Sequence, residues 1–258
     1  MIGAIAGDII GSVYEHAPIK TRDFPLFQPA SRFTDDTVLT VAVAHAILSG
    51  RPYRDSVRRF AQRHPDAGYG GSFFRWLHTE DPRPYGSWGN GAAMRVSPVG
   101  YAFDSEDDVL REARRSAEIT HDHPEGVKGA QAAALAVFLA RTGQGKEAIR
   151  ARLAADFGYD LARSVAQIRP GYAFDVSCQG SVPEAIVAFL DADSYEDAVR
   201  NAVSLGGDSD TLACIAGAIA AAFHGGVPAP IRDQALARLA PDLREIAEEF
   251  VARYPASG

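Results

Sequence analysis

Cysteine is scarce, basic residues are outnumbered, and strand-like alternation is nearly missing, and each shortage removes a class of protein. Only Cys178 and Cys214 occur, with no CxxC spacing. A disulfide framework or thiolate zinc site is therefore not expected, and a reducing compartment fits. Lys and Arg number 26 against 33 Asp and Glu, a formal net charge of -7. That balance argues against a nucleic-acid backbone as the main partner, which needs clustered Lys and Arg. A phosphate-bearing small ligand stays open, because helix N-termini and cations can hold phosphate. No run reaches the roughly 18 apolar residues of a membrane helix. The opening stretch Met1 to Gly7 lacks a basic flank and is interrupted by Asp8, so it does not read as a signal segment. A cytoplasmic location is the expectation, with a monomer slightly favoured.

The chain has 258 residues, 47% of them hydrophobic, enough to bury a substantial core. The periodicity is helical over 38–48, 107–119, 129–141, 145–155, 182–190, 195–204, 211–224 and 231–253. Segments 129–140 and 212–223 are apolar on most faces and belong inside a bundle. The reading is a single compact all-α domain over residues 1–258, its least regular parts at 16–33, 64–105 and 168–181. In the first helix, Gly3, Gly7 and Gly11 fall four apart. Each costs about 1 kcal/mol relative to alanine, so close helix packing must compensate. Asp8 and Glu15, seven apart, are expected on one face of that helix. Apolar surroundings point to a buried partner for them.

Two helix starts are unusually acidic. Phe33-Thr34-Asp35-Asp36-Thr37 opens the 38–48 segment, and Gly206-Gly207-Asp208-Ser209-Asp210-Thr211 opens 211–224. A helix needs one such residue as its N-cap, and the dipole favours acids there. Either motif alone reads as a cap, but both together exceed that need. The alternative is a site for hard cations, which take carboxylate, hydroxyl and water oxygens. If Asp35, Asp36, Asp208 and Asp210 converge, each close pair costs about 4 kcal/mol at an effective dielectric of about 20. Four groups make six pairs, which only protons or cations relieve.

The stretch Gly86-Ser87-Trp88-Gly89-Asn90-Gly91 is either a surface turn or a nest of backbone N–H groups for an anion. His121-Asp122-His123 places imidazoles at i and i+2, awkward for a shared metal on a helix. The aromatics Tyr69, Phe73, Phe74 and Trp76 read as packing, while Tyr172 and Phe174 are placed to border a cleft.

In order along the chain stand Gly7-Asp8, Gly11-Ser12, Tyr14-Glu15, then Phe33 to Thr37, Gly89-Asn90-Gly91-Ala92-Ala93-Met94-Arg95, Thr120-His121, Ser181-Val182-Pro183-Glu184-Ala185, and Gly206 to Thr211. Together these resemble the ADP-ribosylglycohydrolase family. The resemblance implies an all-α domain with a cleft holding two divalent cations, Mg²⁺ or Mn²⁺. It implies Thr34, Asp35, Asp36, Asp208, Asp210 and Thr211 as ligands, with Asp210 bridging, and Glu15 at the mouth of the site. It implies ADP-ribose and ADP-ribosylated substrates as partners, held by Gly86, Ser87, Trp88, Gly89, Asn90, Gly91 and His121. Trp88 would stack on adenine, although some relatives carry tyrosine there. The implied activity is metal-dependent hydrolysis of the N- or O-glycosidic bond between ADP-ribose and its acceptor. Asp36 or Glu15 would be the general base, with Asp35 beside them. A non-catalytic ADP-ribose-binding or structural protein on the same fold is the alternative. Haloacid dehalogenase-type chemistry is disfavoured, because a helical pattern rather than a strand precedes Asp208.

Overall fold

Where period-two patterning is missing, no sheet forms. The computed structural model describes residues 1–255, which fold into 15 helices. The β-type pairing among them is an isolated bridge between Gly89 and Ser177. The helices are α1 (Ile2–Gly11), α2 (Asp35–Ser49), α3 (Tyr53–Arg63), α4 (Gly71–Leu77), α5 (Gly91–Met94), α6 (Ser97–Ala102) and α7 (Glu106–Ala117). There follow α8 (Pro124–Arg141), α9 (Lys146–Phe157), α10 (Val165–Ile168), α11 (Cys178–Leu190), α12 (Tyr195–Ser204), α13 (Ser209–Phe223), α14 (Ala229–Leu236) and α15 (Pro241–Arg253). None of the described helices is long and apolar enough to cross a membrane.

The two all-apolar segments do run through the interior. Every residue of α13 from Ser209 to Ala222 is buried, as is nearly all of α8 from Val127 to Ala140. A helix buried all round gains little from any one face and depends on close contact along its length.

The closest contact is between α1 and α13, and the glycine spacing explains it. A Cβ on Gly3 would lie 2.2 Å from the carbonyl oxygen of Gly217. On Gly7 it would lie 2.1 Å from that of Ala213, and on Gly11 2.4 Å from that of Ser209. The two backbones touch along the whole of α1, and no side chain fits between them. This contact offsets the helix-propensity cost of three glycines. It also seats the end of α1 against the beginning of α13.

Several boundaries differ from those expected. The 231–253 segment is two helices, because the chain leaves helical geometry after Leu236 and Pro241 restarts it at the first turn of α15, where a missing N–H costs nothing. An amphipathic helix, α3, occupies 53–63, burying Tyr53, Ser56, Val57 and Phe60 at i, i+3, i+4 and i+7 spacing. The irregular region 64–105 contains α4, α5 and α6, and α11 begins at Cys178, inside the region taken as a loop. Finally, α1 stops at Gly11, so Asp8 lies on the helix and Glu15 lies beyond it, carried on the turn that follows.

Candidate active site

The site begins with Asp8, fully buried one turn before the end of α1. Its carboxylate accepts the backbone N–H of Thr34 (3.0 Å) and of Thr37 (3.1 Å), and also both threonine hydroxyls. Four donors thus bind α1 to the first turn of α2. Burial still outweighs them and pushes the Asp8 pKa up to about 6, because desolvation disfavours the charged form. Asp8 is the buried partner of the first acidic motif.

With that turn anchored, Thr34 caps α2 by accepting from the N–H of Asp36 (3.3 Å). Neither Asp35 nor Asp36 is needed as the cap. At the second motif Asp208 occupies the N-cap position yet makes no side-chain bond to the α13 backbone. Its carboxylate instead accepts from the Asn90 amide at 2.7 Å. Capping therefore accounts for one threonine and for none of these carboxylates.

The two motifs converge. The Thr211 hydroxyl donates to Asp36 Oδ2 at 3.4 Å, across 175 residues of chain. Carboxylate oxygens of Glu15, Asp208 and Asp210 lie within 4.8 Å of one another. Asp36 Oδ1 is buried and finds no hydrogen-bond partner. Burial first, and then the charges of Asp8, Asp208 and Glu15, raise the pKa of Asp35 to about 8. Asp36 and Asp210 are pushed well above the carboxylate range by burial first, then by neighbouring acids. All the charges acting on these two groups are negative. An all-oxygen, mutually repelling donor set with an orphaned carboxylate oxygen suits a hard divalent cation.

These acids form the floor of a cleft of about 470 Å³, within the usual range for a small-molecule site. Thr34, Asp35, Asp36, Asp208, Asp210 and Thr211 all line it, with Glu15. The glycine-rich segment forms one wall through Ser87, Gly89, Asn90 and Gly91. This wall is held by the N–H of Asn90 on the Val176 carbonyl (2.8 Å) and that of Cys178 on the Trp88 carbonyl (2.9 Å). Gly86 and Trp88 are not among the residues lining the cleft, and Trp88 is 49% exposed. The exposed aromatic at the cleft is Phe174, with Val176 beside it.

The three residues around 121–123 separate. His121 is buried in the cleft wall, the Asp122 carboxylate accepts from the N–H of Gly86, and His123 caps α8 by accepting from the N–H of Glu125. They form no common metal site. Tyr69, Phe73 and Trp76 pack in succession with centroids 5.2 and 5.3 Å apart, Phe73 also lines the cleft, and Phe74 is exposed. Residues that the sequence did not single out also reach the cleft, including Arg32, Ser72 and Tyr85. Arg95, at the end of a quoted motif, is fully buried and also lines the cleft.

The chain is similar to known proteins in sequence and fold. The family model described as ADP-ribosylglycohydrolase matches residues 1–258. The chain belongs to the ADP-ribosylglycohydrolase family. It is 30% identical to human ADP-ribosylhydrolase ARH3, an alignment covering 87% of this chain and 84% of the human protein. It is 24% identical to ADP-ribosylarginine hydrolase Tri1 of Pseudomonas putida (strain GB-1), covering 99% of this chain and 77% of that one. A solved structure, titled an ADP-ribosylglycohydrolase-related protein complex, superposes with a TM-score of 0.71 at 25% identity, covering 97% of this chain and 96% of the other. In this member of the ADP-ribosylglycohydrolase family, the acidic cluster lies just past the end of α1 and at the beginnings of α2 and α13.

Proposed function

We propose that this chain hydrolyses the glycosidic bond joining ADP-ribose to an acceptor, with divalent cations held at the cleft floor. The observation that carries the reading is the meeting of Glu15, Asp208 and Asp210 oxygens within 4.8 Å, with Asp35 and Asp36 alongside in one cleft. Thr34, Asp35, Asp36, Asp208, Asp210 and Thr211 would hold the ions, with Glu15 at the mouth of the site beside them. Two ions of the Mg²⁺ or Mn²⁺ type match the number of carboxylates better than one. Bound there, such cations neutralise the acids, orient vicinal hydroxyls and lower the pKa of coordinated water.

The chain's own groups supply the rest. Hydrolysis breaks the bond from ribose C1 to the acceptor nitrogen or oxygen and forms a bond from C1 to a water oxygen, with oxocarbenium character between. Glu15 removes the proton from the attacking water. It is preferred to Asp36 because it stands at the cleft mouth with its side chain 27% exposed, whereas Asp36 is buried and accepts from Thr211. Ser87, Gly89, Asn90, Gly91 and His121 form the wall for the remainder of ADP-ribose, and Phe174 offers the flat face for adenine that Trp88 does not.

The test is release of ADP-ribose from an ADP-ribosylated protein, with and without a chelator, beside calorimetric titration of ADP-ribose. Release that stops with chelator and returns with Mg²⁺ or Mn²⁺ supports the reading. Tight binding of ADP-ribose with no release from arginine-, serine- or O-acetyl-linked substrates would instead establish a binding protein on the same fold.

A further inference from the structure

The guanidinium of Arg95 is wholly buried and has no acidic partner among the described residues. Its Nη2 donates to the Ser116 carbonyl (2.8 Å) and to the Thr120 hydroxyl (2.9 Å), while Nε and Nη1 find no partner. The same Thr120 hydroxyl lies 2.7 Å from Nδ1 of His121. The three side chains form a short chain ending at the cleft wall.

The direction of that chain follows from what each group can do. A guanidinium only donates, so Arg95 occupies a lone pair of the Thr120 oxygen. The hydroxyl hydrogen then needs an acceptor, and Nδ1 of His121 is in reach. The reverse arrangement, with Nδ1–H donating to Thr120, leaves that hydrogen buried and unpaired, at a cost of about 1–3 kcal/mol. A doubly protonated ring is opposed by burial and by the Arg95 charge, which together hold the His121 pKa well below its ordinary value. With Nδ1 accepting, the one ring proton sits on Nε2. Nε2 has no hydrogen-bond partner among the described residues, and His121 lines the cleft. A Cβ on Gly91 would come within 3.1 Å of Nε2, and one on Gly89 within 3.8 Å.

We infer that Arg95 and Thr120 lock His121 in its neutral Nε2–H tautomer, so that the cleft presents one fixed donor beside the Gly89–Gly91 turn. Thr120 is a positioning residue, Arg95 acts on the ring through it while also lining the cleft, and His121 presents the fixed donor. An acceptor oxygen of the substrate, a ribose hydroxyl or a phosphate, is what such a donor recognises. The identity of that substrate rests on the ADP-ribose reading; the tautomer does not.

The ring state is measured directly by long-range ¹H–¹⁵N correlation on protein labelled with ¹⁵N-histidine, without ligand and near neutral pH. The expected His121 signals are an unprotonated Nδ1 and a protonated Nε2. In Thr120→Val the ring should populate both tautomers, and Thr120→Ser should restore the single one. Arg95→Lys, which keeps a donor, should retain it. A protonated Nδ1 in the unaltered protein, a doubly protonated ring, or a Thr120→Val ring still locked on Nε2–H would each overturn the inference. In a second arm, Thr120→Val should weaken ADP-ribose binding roughly tenfold, and adding it to His121→Phe should cost nothing more. Fully additive losses would show that Thr120 does not act through His121. If the unaltered protein does not bind ADP-ribose, the function proposed above fails while the ring measurement still decides the tautomer.

Discussion

Thr34 gives Asp8 both of its donors, the backbone N–H at 3.0 Å and the hydroxyl at 2.7 Å, one to each carboxylate oxygen. A residue 26 positions earlier in the chain thereby sets where α2 begins, and with it the direction of Asp35 and Asp36. The position of the acids depends on a residue that is not itself proposed as a ligand.

Removing that anchor should affect both folding and the site. Asp8→Ala leaves the N–H and hydroxyl groups of Thr34 and Thr37 buried without their acceptor, a loss of about 3 kcal/mol or more. Urea denaturation of the variant should show that decrease, and calorimetry should show weaker Mn²⁺ binding. Unchanged affinity would mean that Asp8 does not position the acids.

Asp210→Asn removes a carboxylate from the centre of the repelling cluster. Catalysis should be lost, and divalent-ion affinity with it. In metal-free protein the melting temperature should rise, since burial and three neighbouring acids disfavour the charge at this position. A variant that turns over at the normal rate would remove Asp210 from the ligand set.

Metal-free protein should become less stable as pH increases. The folded-state pKa of Asp35 is raised to about 8 from an ordinary value of 3.8, so between these limits the folded chain holds a proton that the unfolded chain has released. Stability from this group is complete below the lower value and is lost as pH climbs through the upper one. Asp36 and Asp210 shift in the same direction. Thermal melts with chelator should fall across that window, and saturating Mg²⁺ should flatten the fall. A metal-free melting temperature that climbs with pH would contradict the cluster's charge state.

Gly7→Ala would stabilise an isolated helix by about 1 kcal/mol. Here the new Cβ falls 2.1 Å from the Ala213 carbonyl oxygen, so the expected result has the opposite sign, a loss of about 3 kcal/mol by chemical denaturation. A neutral effect would mean that α1 can move off α13 freely.

For the adenine, Phe174→Ala should weaken ADP-ribose binding by about tenfold, in line with one lost aromatic stack. Trp88→Ala should leave it unchanged, since Trp88 does not line the cleft. Equal losses from both would return Trp88 to the binding wall.

Much of this architecture could be read from local chemistry. The buried helices α8 and α13 were visible as Ala-rich runs without a polar face, and the tight packing of α1 followed from glycines four apart. The acidic starts of α2 and α13 stood out because they carry more carboxylates than a cap requires. What escaped were features set by distant partners. Glu15 has helical spacing from Asp8, but the chain turns at Ser12, and no local signal in the residues forces that turn. Trp88 has the right chemistry for stacking, yet it is half-exposed and is not among the cleft-lining residues. Arg95 was visible only as the last residue of a motif, and its burial at the cleft depends on α7 supplying the Ser116 carbonyl. The helix α3 was not read from the sequence, although Tyr53, Val57 and Phe60 have helical spacing, because its many charges obscured the pattern.

Because α1 lies backbone against backbone on α13, and Gly11 abuts Asp210 while Asp8 grips Thr34, a single ten-residue rod touches both halves of the acid floor. It works as a gauge block. The gap between the halves is set by main-chain atoms that no rotamer change can lengthen, so ions of different radius meet a frame of nearly fixed width. Loops around the mouth can diverge to suit new acceptors without disturbing that width.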